Sequence, residues 1–263
     1  MAVFKTRLIS GAALLVLAFL TIRAGGYVLL GTMLFLSVVG VFELYRALGI
    51  SLREPVGIAG ITSAALWYAV IAAAPETYRI IYLCGVMLVF MTIYVVTFPR
   101  YHSAQVIEGY FGVIYPAVLL SCIYLTRIAE GGALSVWLIF LAAWGSDTCA
   151  YCVGKLIGKH KMTPRLSPKK SVEGAVGGVI GASLLGAAFA AAAGQPIVPY
   201  VVICFFGAIL SMIGDLAASA IKRDRGIKDY GTLIPGHGGV MDRFDSVLFT
   251  APVILFLTKL LLS

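Results

Sequence analysis

Long apolar stretches alternate with short polar connections along the whole chain. A helix that crosses a lipid bilayer needs about 20 consecutive, mostly apolar residues. Dividing the apolar stretches at charged residues and at breaks rich in proline or glycine predicts nine such helices. They cover residues 8–22, 27–47, 56–74, 80–98, 109–126, 133–155, 174–193, 198–221 and 245–262. The predicted fold is therefore an all-α polytopic membrane protein with about nine transmembrane helices.

The composition agrees with this pattern, because 60% of the 263 residues are hydrophobic and only 12% are charged. Nine spans leave no room for a separate soluble catalytic domain, so any chemistry must lie on the helices and their connections. The formal net charge of +8 could indicate nucleic-acid binding. In a polytopic protein, however, a basic excess is more typical of membrane topology and attraction to anionic lipids, and we expect no nucleic-acid partner.

The basic residues also predict an orientation. If the N-terminus is cytoplasmic, all but four of the 20 lysines and arginines fall on the cytoplasmic side, as the positive-inside rule requires. The exceptions are Arg23, Arg79, Arg127 and Lys259. The C-terminus would then lie on the opposite side. We expect residues 1–105 to form structural, lipid-facing helices and residues 106–263 to carry the catalytic loops.

Three acidic residues lie inside predicted spans, namely Glu43, Asp147 and Asp215. An acid at this position costs about 2.5–3.5 kcal/mol on insertion scales, so each one suggests a function. From the rise of an α-helix, Asp147 and Asp215 lie about 12 and about 10 Å beneath the cytoplasmic surface. The two carboxylates should therefore share a depth, whereas the sequence assigns Glu43 no role.

A polar stripe continues from Asp215 along one face of the eighth span, through Ser219, Lys222 and Arg223. A buried ion pair or a snorkelling helix end is the alternative explanation for the two cations. Beyond the next loop, Asp242 and Asp245 begin the last span. Helix N-capping is the alternative for these acids, above all for Asp245.

Two connections have features of anion-binding loops. Residues 228–239 contain glycines that permit several backbone N–H groups to face one anion. In the other connection, Lys169 and Lys170 lie just before a helix N-terminus, where phosphate is favoured, and membrane anchoring is the alternative explanation for them. Glycines of the seventh span recur at G-x-x-x-G spacing, which favours close helix packing and is compatible with a homodimer. Carboxylates beneath basic, glycine-bearing loops indicate phosphate chemistry with Mg²⁺.

The segment from Ser219 to Asp245 resembles the signature of the phosphatidate cytidylyltransferase family, also called CDP-diacylglycerol synthases. Residues 147–155 and 167–174 resemble the same family, so the resemblance covers roughly residues 144–246. One departure is Val172, where many members carry tryptophan, and it concerns packing. The resemblance implies that CTP and phosphatidic acid give CDP-diacylglycerol and pyrophosphate in a Mg²⁺-dependent reaction at the cytoplasmic leaflet.

On this interpretation, Asp215 and Asp242 hold the metal, and Asp147 and Asp245 are either further ligands or hydrogen-bond acceptors around the ligands. A second ion, monovalent or divalent, is compatible with the pattern. Lys222 and Arg223 join Asp215 and Asp242 as catalytic residues. The residues expected to bind substrate are Lys169, Lys170, Ser171, Ser219, Lys228, Asp229, Gly236, His237, Gly238, Gly239 and Arg243.

The expected partners are CTP, phosphatidic acid and membrane lipids, and the expected location is the bacterial plasma (inner) membrane. Three alternatives remain open. A CDP-alcohol phosphotransferase would need several aspartates in one helical stretch after Asp-Gly, which this chain lacks. A cation-coupled transporter would place its acids near the midplane of the membrane and would consist of repeated halves. A lipid-binding scaffold would explain the basic loops but not the carboxylates.

Overall fold

The computed structural model of the chain is almost entirely helical. It describes residues 2–236 and 238–262, with side chains from residue 10 onward. The helices are α1 (Ala2–Ala24), α2 (Gly26–Leu48), α3 (Pro55–Ala73), α4 (Tyr78–Val96), α5 (Ser103–Val113), α6 (Leu119–Ile128), α7 (Gly132–Phe140), α8 (Ser146–Ile157), α9 (Val172–Ala192), α10 (Ile197–Asp224) and α11 (Met241–Leu261). Two π-helical segments, Ile114–Val118 and Leu141–Gly145, make α5–α6 and α7–α8 continuous.

The predicted fold class is confirmed. Within the described residues, eight helical segments are long and apolar enough to span a membrane. The remaining predicted span, residues 8–22, falls on α1, where the stretch Ser10–Ala24 is apolar but shorter. The orientation of the termini and the functional division at residue 105 stay predictions.

The chain divides into two compact units, of which the first comprises Met1–Ser121 with Ile227–Arg243. Its core is centred on the fully buried ring of Tyr45 in α2. Gly60 of α3 and Gly112 of α5 lie so close to this ring that neither could carry a Cβ atom. The Tyr45 hydroxyl donates a hydrogen bond to the Gly109 carbonyl oxygen at 2.5 Å, which satisfies the only polar atom of this side chain.

The second unit comprises Cys122–Gly226 with Phe244–Ser263, and α9 packs in it against α8 and α10. The glycines of α9 make this approach possible. Gly177 faces Val153, Gly178 faces Ala150, and a Cβ atom at either glycine would lie within 3.0 Å of its neighbour. The predicted close packing of the G-x-x-x-G face is therefore confirmed within the chain, between α9 and α8.

A β-hairpin, which the sequence interpretation treated as a plain loop, connects α8 to α9. Strand β1 (Lys161–Thr163) pairs antiparallel with β2 (Ser167–Ser171), with Lys161 opposite Ser171 and Thr163 opposite Ser167. The Ser171 side chain then caps α9 by accepting a hydrogen bond from the Gly174 N–H at 3.1 Å. The hairpin thus leads Lys169 and Lys170 directly to the start of α9.

Candidate active site

An ion pair in the second unit joins the hairpin to α10. The Lys170 Nζ atom lies 2.6 Å from Asp215 Oδ2, and the two side chains are 25% and 28% exposed. The Ser219 hydroxyl, one turn further along α10, donates to Asp215 Oδ1 at 3.4 Å. The pair is therefore formed from two predicted site residues, whose side chains are partly exposed although the Lys170 Nζ atom itself is buried.

The base of the hairpin is fixed by Glu173 in the first turn of α9. Its carboxylate accepts the backbone N–H groups of Lys159 and His160 and contacts the His160 ring at 2.6 Å. The carbonyl oxygen of His160 in turn accepts the N–H of Val172 at 2.9 Å. These bonds tie both ends of the hairpin to one helix start, which restricts the position of the lysines on β2.

A cavity of about 400 Å³ opens beside the ion pair within the second unit. Among the residues that line it are three cations, two acids and the capping serine. These residues are Asp147, Lys155, Lys169, Lys170, Ser171 and Asp215. Asp147 and Asp215 both line this cavity, and their shared depth beneath the membrane surface stays a prediction. Lys155 was not among the predicted binding residues, although it lies within a segment that resembles the family.

A further acid of the second unit, Asp245, adds to the charge around α10. Asp215, Lys222 and Asp147 are all close enough to interact electrostatically with its carboxyl group. The Asp245 Oδ1 atom also accepts the N–H of Ser246, the next residue of α11, at 2.9 Å. Three of the four acids predicted as metal ligands therefore belong to one electrostatic cluster.

The first unit contains a second cavity, of about 490 Å³, along the glycine-rich loop. Five predicted binding residues are among those that line it: Lys228, Asp229, Gly236, Gly238 and Arg243. Gly236 and Gly238 have φ values of 76° and 86°, a conformation that favours glycine. His237 lies outside the described residues. The structure thus gathers these five predicted residues around one concave surface.

Asp242 has a different environment from the other predicted metal ligands. It is 5% exposed, and its Oδ2 atom accepts the backbone N–H groups of Tyr230, Gly239 and Gly231 at 2.7, 3.0 and 3.4 Å. These bonds hold the two ends of the glycine-rich loop together. Metal binding by Asp242 stays a prediction, as does substrate binding by Gly239.

The predicted sites therefore fall into two groups. Asp147, Asp215, Asp245, Lys169, Lys170, Ser171, Ser219, Lys222 and Arg223 belong to the second unit, and the loop residues with Asp242 and Arg243 belong to the first. Arg223 is exposed, whereas Lys222 is half-buried. The sequence interpretation missed the role of Glu43, a buried acid of the first unit whose position within an apolar span was the available signal.

The donor set of the second unit fits Mg²⁺. This ion is usually held by one or two carboxylates together with substrate phosphates, and Asp215 and Asp245 supply carboxylates near the lysines that line the cavity. In the part of the chain that the structure describes, no group of three or more histidine, cysteine, aspartate or glutamate side chains is arranged to hold a metal alone.

Comparison with known proteins adds independent information. The sequence model of the Cytidylyltransferase family matches residues 5–261. The phosphatidate cytidylyltransferase of Bacillus subtilis is 36% identical over 141 residues, which are 52% of this chain and 52% of that protein. The one from Staphylococcus epidermidis is 30% identical over 254 residues, 92% of this chain and 95% of its relative. In the former alignment the chain spans about half the length of the curated relative, and in the latter nearly all of it.

Proposed function

Because this chain belongs to the cytidylyltransferase family, we propose that it is a phosphatidate cytidylyltransferase, which converts CTP and phosphatidic acid to CDP-diacylglycerol and pyrophosphate. The observation that carries the proposal is the cavity around the Lys170–Asp215 pair. It presents cations suited to phosphate groups and carboxylates suited to a divalent ion, on helices that are apolar enough to lie in the membrane with the lipid substrate.

The proposed reaction needs little acid–base chemistry from the protein. An oxygen of the lipid phosphate attacks the α-phosphorus of CTP, and the bond from that phosphorus to the oxygen bridging to the β-phosphate breaks. Pyrophosphate carries the electron pair away. A phosphate monoester has a second pKa near 6, so the nucleophile is largely ionised at neutral pH without a general base. Positioning and charge neutralisation remain as the tasks of the side chains.

Lys169 and Lys170 on β2 and Lys155 on α8 would bind phosphate groups in the cavity of the second unit. The Lys170–Asp215 pair keeps both charged groups in place before substrate arrives, so less reorganisation is needed at the moment of reaction. Lys222 and Arg223, at the end of α10, would neutralise charge that develops on the α-phosphoryl group and on the leaving pyrophosphate.

Asp215 and Asp245 would hold Mg²⁺ together with phosphate oxygens of the substrates, and Asp147 would serve as a further ligand. When bound, the ion would neutralise phosphate charge and orient the leaving group. Only the sequence resemblance supports a contribution of Asp242 to metal binding and the presence of a second ion. The loop residues Lys228, Asp229 and Arg243 would bind substrate at the cavity of the first unit.

The long apolar helices indicate an integral membrane protein. We propose that it lies in a bacterial inner membrane with its active site facing the cytoplasm. The bacterial relatives and the asymmetric distribution of lysine and arginine support this placement. A homodimer, compatible with the G-x-x-x-G spacing, remains a prediction.

The direct test incubates purified protein in detergent with CTP labelled in the cytosine, phosphatidic acid and Mg²⁺, and separates the lipid products. We expect labelled CDP-diacylglycerol that depends on all three components. Diacylglycerol in place of phosphatidic acid is the matched control, because it has the same acyl chains but lacks the phosphate nucleophile. Label in the lipid fraction with diacylglycerol, or none with phosphatidic acid, would refute the proposal.

A further inference from the structure

Glu43 is a buried acid that the proposed reaction does not use. It lies in α2 and is only 3% exposed. A carboxylate in an apolar helix is costly unless hydrogen bonds compensate for its lost hydration. The partners of Glu43 therefore indicate what this residue does.

Both oxygens of the Glu43 carboxylate accept backbone N–H groups from the start of α11. Oε1 accepts the N–H of Val240 at 3.1 Å, and Oε2 accepts the N–H of Met241 at 2.9 Å. The first N–H groups of a helix have no partner inside the helix. The Glu43 carboxylate, which belongs to a different helix, accepts these N–H groups. It therefore attaches the end of the glycine-rich loop to α2.

Two glycines of the loop leave space for this carboxylate because they carry no side chain. A Cβ atom at Gly231 or at Gly239 would overlap the Glu43 side chain, so the loop backbone passes it closely at both positions. One turn further along α2, an Nη atom of Arg46 donates to the carbonyl oxygen of Tyr230 at 2.6 Å. Glu43 and Arg46, which we call the α2 clamp, thus hold the beginning and the end of the loop.

The clamped loop is the one that lines the cavity of the first unit. Its two ends are also joined by Asp242, which accepts the N–H groups of Tyr230 and Gly239. Lys228 and Arg243 flank the clamped backbone and line the cavity. The conformation of the loop, and with it the placement of these two cations, therefore depends on bonds made beneath it by α2.

We infer that Glu43 is a positioning residue, which together with Arg46 holds the loop of residues 228–243 in the conformation that binds a phosphate-bearing substrate. This inference rests on the proposed function, which gives the loop its ligand. A loop held in its binding conformation loses less conformational freedom when the ligand binds. A released loop must be ordered by the substrate. The apparent affinity then equals the intrinsic affinity multiplied by the fraction of molecules that have the loop in place.

The kinetic signature of the clamp is thus a change in KM and not mainly in kcat. For Glu43→Gln, which keeps one acceptor oxygen and places an amide NH₂ against a backbone N–H, we expect KM for CTP or for phosphatidic acid to rise at least tenfold. We expect kcat to fall less than threefold, because saturating substrate restores the loop. Glu43→Ala removes both acceptors and should raise the same KM further.

Ser37→Ala is the matched control, since Ser37 lies on the same helix, is fully buried and hydrogen-bonds Tyr68 and the Pro116 carbonyl oxygen. It should lower thermal stability without changing either KM beyond twofold. Hydrogen–deuterium exchange of peptides covering residues 228–243 provides a readout independent of activity. Exchange there should be at least tenfold faster in Glu43→Ala than in the wild type, and unchanged in Ser37→Ala.

Each result decides the inference. Faster exchange with a selective rise in KM supports it. Unchanged exchange in Glu43→Ala overturns the clamp, and faster exchange with unchanged KM values overturns its part in substrate binding. If wild-type protein forms no CDP-diacylglycerol, the proposed function fails, and the exchange data alone then decide whether Glu43 holds the loop.

Discussion

A methyl group at Gly177 should disturb both the stability of the second unit and its cavity. The Cβ atom of Gly177→Ala would lie 2.6–2.7 Å from the Cβ and both Cγ atoms of Val153 on α8. Carbon atoms pack favourably at about 3.5–4.0 Å, so α8 and α9 must separate locally by about 1 Å. Because a β-branched side chain has little rotamer freedom in a helix, Val153 cannot turn away.

Overpacking of this kind costs about 1–3 kcal/mol. For a chain of this size the expected decrease in apparent Tm is about 2–12 °C. The displaced helices also carry site residues, because Asp147 lies on α8 and α9 begins directly after Lys170 and Ser171. A misplacement of about 1 Å can cost about a hundredfold in rate, so we expect kcat/KM to fall between tenfold and a hundredfold.

Thermal melts and CDP-diacylglycerol formation in detergent measure both effects. Gly85→Ala is the control, because Gly85 lies in the middle of α4 and a Cβ atom there meets nothing within 4 Å. That variant should match the wild type or be slightly more stable. A Gly177→Ala protein with wild-type Tm and activity would refute the packing argument, since it would show that α8 and α9 accommodate the methyl group without strain.

Two further predictions concern charged residues. Lys170→Met removes the cation 2.6 Å from Asp215 and should lower kcat/KM at least tenfold. Lys161→Met, at an exposed position of β1, should stay within twofold; equal losses would contradict a specific role for Lys170. Asp242→Ala leaves buried N–H groups of the loop without an acceptor and should destabilise the protein by about 1–3 kcal/mol. Asp242→Asn retains an acceptor oxygen, so its Tm should fall less than that of Asp242→Ala. A larger fall for Asp242→Asn would show that Asp242 does not stabilise the loop.

The helical architecture could be predicted from the sequence because membrane-spanning helices have a strong local signal. Length and hydropathy alone located eight of the nine predicted spans within the described residues. The common depth of Asp147 and Asp215, taken from helix rise, stays a prediction, although both residues line one cavity. Close packing of the α9 glycines also followed from their spacing, whereas the structure identified α8 as the partner helix. In each case the prediction depended only on residues close together in one helix.

Features that depend on contacts between distant segments were not predictable in this way. The β-hairpin is short and its residues are mostly polar, so nothing in the periodicity separated it from a loop. Glu43 and the N–H groups of Val240 and Met241 are nearly 200 residues apart in sequence. The same limit applied to Asp242, whose position suggested a metal ligand or a helix cap, while the structure shows bonds to Tyr230 and Gly239.

The most direct test of the central claim measures pyrophosphate released by purified Asp215→Asn protein with CTP, phosphatidic acid and Mg²⁺. Asp224→Asn is the control, because Asp224 ends the same helix but is largely exposed. We predict that Asp215→Asn stays folded, with a Tm within a few degrees of the wild type, and loses Mg²⁺-dependent turnover, while Asp224→Asn retains it. Substantial turnover by folded Asp215→Asn protein would contradict the account of the active site.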